Sequence, residues 1–420
     1  MKRKLSAILA LTLSLALVLS ACGGDNGSST TEDGEKVLKV AVGASLTGTA
    51  AKAGTAFDEA TKMAFEDIDY TIGDYTIELI TVDLTDDPEK GALALEQAIV
   101  RDGAQVAMQG WLTTVAMSTM DTAARYQIPY MFNYGAGEAL DEKWAEDPEY
   151  YSYYIGKMFP TNDFIAQAYA DLMDYGFETG EITGDKTIAI YGEDTDWGHS
   201  LGDLLEKYFG EAGYEIVYDE YFAAGTTDFY AILSKIQQSG ATVVAGTINT
   251  PATAAAFLKQ AQEIGLDAQM ICHSLNENAD WYELCGDSAE GVFDMLPGYT
   301  DERGAEFEAR WLERMGYSAS ISCESVAYDC ALCFIEMLQD CYDMYGVLDS
   351  ETIYQFGCEQ VQTGQWVYDD SILQACYQWE EGRLSPVVGE DAFYNPLGQV
   401  RNGEFVTVWP ASRAVEDPVF

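Results

Sequence analysis

Short apolar runs alternate along this chain with longer stretches in which apolar residues recur every three or four positions. The run Val37–Val42 is followed by Ala56, Ala60, Met63, Ala64 and Ile68 at helical intervals. The same reading predicts strands over Thr76–Val82, Val106–Gly110 and Pro129–Phe132. It predicts helices over Pro88–Asp102 and up to about Tyr126. The rhythm then restarts. Strands are predicted at Thr187–Tyr191, Glu215–Asp219, Thr242–Ala245 and Gln269–Cys272, with helices at Leu201–Ala212, Phe229–Ser239 and Thr253–Ile264. Strands that alternate with helices build parallel sheets covered on both faces. Two such units predict an α/β protein of two doubly wound parallel-sheet lobes with a hinge and a central cleft. Ligands of doubly wound sheets bind beyond the carboxyl ends of the strands.

The first residues read differently. Lys2, Arg3 and Lys4 precede an apolar run from about Leu5 to Leu19, too short to span a bilayer. The run ends Leu19-Ser20-Ala21-Cys22, which resembles the lipobox of bacterial lipoproteins. That resemblance implies a signal peptide over 1–21 and lipidation of Cys22; a plain signal peptide with a chance cysteine is the alternative. Gly23 through Thr31 holds no side chain fit for a core, so 22–36 reads as a flexible tether. The expected location is extracytoplasmic, at the outer face of the cell membrane or on its periplasmic side.

Charge narrows the partners. The 420 residues carry 22 Lys and Arg against 70 Asp and Glu, a net charge of −48. Such a surface repels phosphate backbones, so nucleic acid is excluded. The two histidines, His199 and His273, cannot build a histidine-rich metal site, and no metal or cofactor is expected. Eight cysteines follow Cys22, at 272, 285, 323, 330, 333, 341, 358 and 376. Export permits disulfides, and Cys272 with Cys285 could close a short loop. Cys330-Ala-Leu-Cys333 has the C-x-x-C spacing of a redox pair, but its helical apolar setting favours buried thiols.

A family resemblance rests on an ordered set of segments. These are Val40 through Gly48, Phe65-Glu66-Asp67-Ile68, Asp83 through Pro88, Gly110 through Thr114, Asp196-Trp197-Gly198, Gly225 through Phe229 and Ser288 through Val292. Together they resemble the branched-chain amino acid-binding proteins, the type I substrate-binding components of ABC importers, over essentially all of 37–420. The resemblance implies that Trp111–Thr114 supplies a hydroxyl and backbone amides to a ligand carboxylate, with Thr114 at the hydroxyl position. It implies backbone contacts from Asn133, Tyr134, Gly135 and Ala136, with Gly137 where a second hydroxyl usually stands. Trp197 matches an aromatic residue of the second lobe that closes over the ligand, and Tyr299 a cleft tyrosine. The family's acid for an α-ammonium falls near Asn249-Thr250-Pro251-Ala252, yet no carboxylate occurs between Gly246 and Glu263. Ala53 stands where an aromatic residue commonly narrows the pocket, which implies a wider one.

The residues also have plainer readings. Thr113 and Thr114 precede an apolar helical stretch and could cap it. Trp111, Trp197 and Tyr134 could be core, and Ser45 is a good turn residue. Asn249 and Asn276 could bond a ligand amide or hydroxyl, or cap backbone. No phosphate-binding glycine loop and no nucleophile elbow is present, so an enzyme is not expected. The reading is a lipid-anchored, monomeric solute-binding protein that takes an amino-acid-like, amide or carboxylate ligand and delivers it to ABC permease subunits. Lobe one is expected over 37–159 and 279–375, lobe two over 160–278 and 376–420. A sensor signalling to a membrane receptor, and an exported hydrolase or thiol oxidoreductase, are the alternatives.

Overall fold

A computed structural model of the chain describes residues 29–30 and 36–420, apart from 49, 224, 249, 277–280 and 296. The expected signal peptide, Cys22 and most of the tether lie outside the described residues, as does Asn249. Among the described residues there are two seven-stranded sheets and one two-stranded hairpin. The first sheet runs Thr71–Ile72, Tyr75–Asp83, Lys36–Ala44, Val106–Met108, Tyr130–Phe132 and Tyr154–Lys157, parallel from the second of these onward. Ser29–Thr30 adds antiparallel to the start of Lys36–Ala44. The second sheet runs Glu215–Phe222, Thr187–Glu193, Val243–Thr247, Gln269–His273 and Phe293–Met295, all parallel. Leu397–Arg401 and Glu404–Trp409 complete it antiparallel. Counted in chain order, the parallel strands of each lobe lie 2-1-3-4-5. This is the doubly wound fold the apolar rhythm predicts, with its reversal between the first and third strands of each sheet.

Local sequence explains the elements. Helix Pro88–Val100 begins with proline at its first position, and the Asp87 carboxylate accepts from the amides of Glu89 (3.1 Å) and Lys90 (3.3 Å). Such a cap contributes about 1 kcal/mol. A single buried apolar cluster takes in Leu38 and Val40 of the first sheet and Ile188, Ile190 and Phe293 of the second, joined through Phe159, Phe164 and Ile165.

The chain passes between the lobes three times. After Tyr154–Lys157 it enters helix Asp163–Thr179, whose Asp163 accepts from Lys207 (3.0 Å) and Tyr208 (2.9 Å) of the second lobe. After Phe293–Met295 it returns to helix Glu302–Met315, where Arg310 pairs with Asp67 and Arg314 with Glu59 and Glu66 on helix Ala51–Glu66. The strand Phe293–Met295, expected in the first lobe, hydrogen-bonds within the second sheet. Three residues are too few to show a strand period. Residues after 376 were expected with the second lobe, yet Tyr377 and Trp379 bond to Asp329 and Lys157 of the first. The chain reaches the second sheet again at Leu397.

The eight described cysteines are free. Burial pushes the Cys330 and Cys333 thiols well above the usual range, so the C-x-x-C pair supplies no reactive thiolate. Cys272 and Cys285 are both buried thiols and close no loop.

Asp329 ties the third passage down. It is fully buried in helix Val326–Tyr345 and accepts from Ser371 Oγ (2.7 Å), the Ile372 amide (2.9 Å) and the Tyr377 hydroxyl (3.0 Å). Burial raises its pKa to about 6 despite those donors. A carboxyl held above its unfolded value binds its proton more tightly when folded. Its stabilising contribution is complete below about pH 4 and is lost as pH rises through about 6. Asp329→Asn, which mimics the neutral group, is therefore expected to gain on the wild type by up to about 3 kcal/mol between pH 4 and 7. Urea unfolding across that range measures it, and parallel curves for the two proteins would remove Asp329 from the pH response.

Candidate functional site

At the carboxyl end of Val106–Met108 the backbone turns sharply. Gln109 has φ 67° and Gly110 φ 144°. A Cβ at Gly110 would lie 2.1 Å from the Phe132 ring, so only glycine fits there. Trp111 and Leu112 follow, and helix Thr113–Tyr126 begins with Leu112 at its cap and no side-chain cap bond. The threonines do not cap the helix. Its first-turn amides therefore lack the partner that Ser, Thr, Asp or Asn would give. A helix start of this kind suits a carboxylate.

The next strand end is zipped to this one. The amides of Tyr134 and Gly135 donate to the carbonyls of Gly110 (3.1 Å) and Trp111 (3.2 Å). The Gly137 amide donates to Thr113 Oγ1 (3.1 Å). A Cβ at Gly137 would sit 2.9 Å from Thr113 Cγ2, so the missing second hydroxyl goes with closer approach of the two loops. Trp111 and Tyr134, both half-buried, meet at a tilt of 37° with 4.4 Å between ring centroids. Phe57 meets Trp111 edge-on at 5.3 Å, and Phe159 of the first passage stacks on Tyr134 at 4.1 Å. Thr114 is exposed, Ala136 half-buried, Asn133 and Gly135 buried. Ser45 is buried at the end of Lys36–Ala44, where Asp83 accepts from the next two amides, Leu46 (2.9 Å) and Thr47 (3.3 Å).

In the second lobe Trp197 lies in the first turn of helix Asp196–Glu211, capped by Thr195 Oγ1 accepting from Gly198 N at 3.1 Å. Its ring meets His273 at 5.8 Å. Thr250, exposed, precedes helix Pro251–Glu263 without a side-chain cap bond. The Asn276 amide donates to Asp294 Oδ2 (2.9 Å), and its side chain to the Met295 carbonyl. The Tyr299 hydroxyl is held by Ser325 Oγ (2.7 Å) and Glu308 (3.1 Å), which commits it to the first lobe's helices. The structure therefore groups Trp111, Thr113, Tyr134, Gly135 and Ala136, and sets Trp197, Thr250 and Asn276 at strand ends of the other lobe. Between the lobes opens a cavity of about 370 Å³, walled by Ala136, Gly137 and Glu138 on one side and His199, Ser200 and Asp203 on the other.

A family model described as periplasmic binding protein matches residues 37–355. This chain belongs to that family. The periplasmic binding proteins bind ligands outside the cytoplasm and do not convert them. The chain is 30% identical over 113 residues to the leucine-, isoleucine-, valine-, threonine- and alanine-binding protein of Pseudomonas aeruginosa, a match over 27% of this chain and 30% of that one. It is 25% identical over 304 residues to the leucine-specific-binding protein of Salmonella typhimurium, covering 72% of this chain and 75% of that one. Its fold is shared with the solute-binding protein of an ABC transporter from Rhodopseudomonas palustris BisB5, solved with 3,4-dihydroxybenzoic acid. That likeness has TM-score 0.66 and 20% identity, over 91% of this chain and 98% of that one.

Several buried polar residues of this periplasmic binding protein escape a reading by pattern. Lys157 is fully buried and its ammonium pairs with Asp141 and donates to the Gly135 carbonyl (3.0 Å). Burial lowers its pKa, against the pull of Asp141. Asp294 accepts from the amides of Ser274 (3.1 Å), Asn276 (2.9 Å) and Met295 (2.7 Å) and from the Tyr169 hydroxyl (3.2 Å). Glu193, at the end of Thr187–Glu193, is buried too. The available signal was a charged residue inside an apolar run, as in Tyr154-Ile155-Gly156-Lys157 and Phe293-Asp294-Met295.

His273 meets the Tyr169 hydroxyl at 2.9 Å through Nδ1, and burial lowers its pKa to about 4. A base held below its unfolded value stabilises the fold above about pH 6.5, and that contribution is lost as pH falls toward 4. Wild type is expected to lose up to about 3 kcal/mol over this window through His273, and His273→Gln to lack that part of the loss. Thermal melts of both proteins between pH 7 and 4.5 measure it; equal slopes would exclude the histidine.

Proposed function

We propose that this chain is the lipid-anchored solute-binding component of an ABC importer, and that it captures a small amino-acid-like, amide or carboxylate ligand between its lobes. The observation that carries the reading is the zipped pair of strand-end loops, Gly110–Thr113 and Tyr134–Gly137. These put an uncapped helix start, suited to a carboxylate, beside the tilted Trp111–Tyr134 ring pair, suited to an apolar body. Trp197, presented by the facing lobe, would cover the ligand on closure by hinge motion. Lobe one would take 36–158 and 302–395, and lobe two 163–295 and 397–420. The closed form would dock on membrane permease subunits. The names of the relatives support leucine, isoleucine and valine as first probes, and the bound aromatic acid of the Rhodopseudomonas protein supports aromatic carboxylates as second ones.

A thermal-shift panel of branched-chain amino acids, their amides and aromatic acids on the purified protein tests the ligand. A binder at a hundredfold excess over its Kd adds about 2.7 kcal/mol of stability. Trp111→Ala and Trp197→Ala are each expected to weaken the hit more than tenfold by calorimetry. A hit whose affinity survives both changes, or which the protein chemically alters, overturns the site. For the anchor, fatty-acid labelling of the wild type is expected, with Cys22→Ser unlabelled and released from membranes; label retained in Cys22→Ser would overturn it.

A further inference from the structure

The left-handed residue at the head of the first loop is not glycine. Gln109 is fully buried, and nearly every polar group it owns is engaged. Its side-chain amide nitrogen donates to Thr61 Oγ1 (3.0 Å) and to the Ala327 carbonyl (2.7 Å). A carbonyl can only accept, so this second bond fixes which end of the Gln109 amide is nitrogen. The oxygen end then accepts from Asn133 Nδ2 (2.9 Å). The Gln109 carbonyl accepts from the Tyr130 hydroxyl (2.7 Å), and its amide donates to the Met131 carbonyl (3.1 Å).

These partners lie on four different elements. Thr61 belongs to helix Ala51–Glu66 and in turn donates to the carbonyl of Phe57, whose ring meets Trp111. Ala327 lies in the first turn of helix Val326–Tyr345, two residues after the Ser325 that holds the Tyr299 hydroxyl. Asn133 heads the second loop, and its carbonyl accepts from the amides of Met158 (3.2 Å) and Phe159 (2.9 Å) in the first passage between lobes. With its nitrogen turned to Gln109, Asn133 is left with Oδ1 buried and without a hydrogen-bond partner, an acceptor suited to an N–H or O–H of ligand or water. A non-glycine residue at positive φ is strained and persists where its surroundings over-determine it.

We infer that Gln109 is the positioning residue of the ligand site: its side chain sets the two loops, the Asn133 amide and the first passage relative to one another, without touching ligand itself. The inference deepens the binding reading above and rests on it for its consequence, but its test needs no ligand. Hydrogen–deuterium exchange on the purified full chain compares wild type with Gln109→Gly, at home at this φ, and Gln109→Asn, too short to bridge Ala327 and Asn133. Both variants are expected to exchange at least tenfold faster at the Tyr134, Gly135 and Gly137 amides that hold the two loops together, with 187–193 of the second lobe unchanged. Adding Asn133→Ala to Gln109→Gly is expected to bring no further acceleration, because both changes cut one network. On the same samples, affinity for l-leucine is expected to fall more than tenfold in both Gln109 variants. Unchanged exchange at the loops in both, or equal acceleration at 187–193, overturns the inference, as does loosened exchange with unaltered leucine affinity. Wild type that ignores l-leucine counts against leucine as ligand and leaves the exchange result to decide on Gln109.

Discussion

Parallel strands can be joined only by chain that recrosses a face of the sheet, so all their carboxyl ends open on one side. This constraint organises the molecule. In each lobe the order 2-1-3-4-5 makes the connections after the first and third strands depart to opposite faces, which leaves a gap at that edge. The loops that begin at Ser45 and Gln109 flank the gap in the first lobe. Those after Glu193 and Thr247 flank it in the second. The backbone groups at these ends are the ones no ladder satisfies, and they have two fates. Some are zipped to one another, as between Gly110–Thr113 and Tyr134–Gly137. Others stay open at helix starts.

Much of this was legible because it follows from period. Strands such as Lys36–Ala44 and helices such as Ala51–Glu66 are long enough for apolar spacing to show, and their ends fall within a few residues of expectation. Two kinds of feature were not. Phe293–Met295 is three residues long, and 369–396 has no period because its backbone is mostly turns, so the second and third passages between lobes were misplaced. The candidate site was half legible. Trp111 and Tyr134 announce themselves as aromatic residues beside glycine at strand ends. Tyr299 does so equally, yet its ring packs over Gly304 and its hydroxyl is spent within the first lobe. Gln109 gives no sign, because its role depends on partners 24, 48 and 218 residues away.

The buried charges share one logic. Asp294 and Asp329 each sit where three or more donors converge, and the Lys157 ammonium sits where two acceptors, Asp141 and the Gly135 carbonyl, meet. Removing an ion from water is tolerated only under such convergence. Each of these groups therefore marks a place where distant stretches must arrive together. All three bind a passage between the lobes or the strand that feeds it. Structure at the hinge is thus more polar than the apolar cluster running through it.

The last strand of the first sheet, Tyr154–Lys157, is exposed to no further strand, and such a margin is a template for pairing with a foreign chain. Here it is masked. Lys157 gives its amide to the Leu384 carbonyl (3.2 Å) and takes the Trp379 indole N–H on its own carbonyl (3.1 Å), while Gln362 covers the carbonyls of Ser152 and Tyr154. The irregular stretch after 369 thereby works as a selvedge, stopping one copy from ravelling onto another.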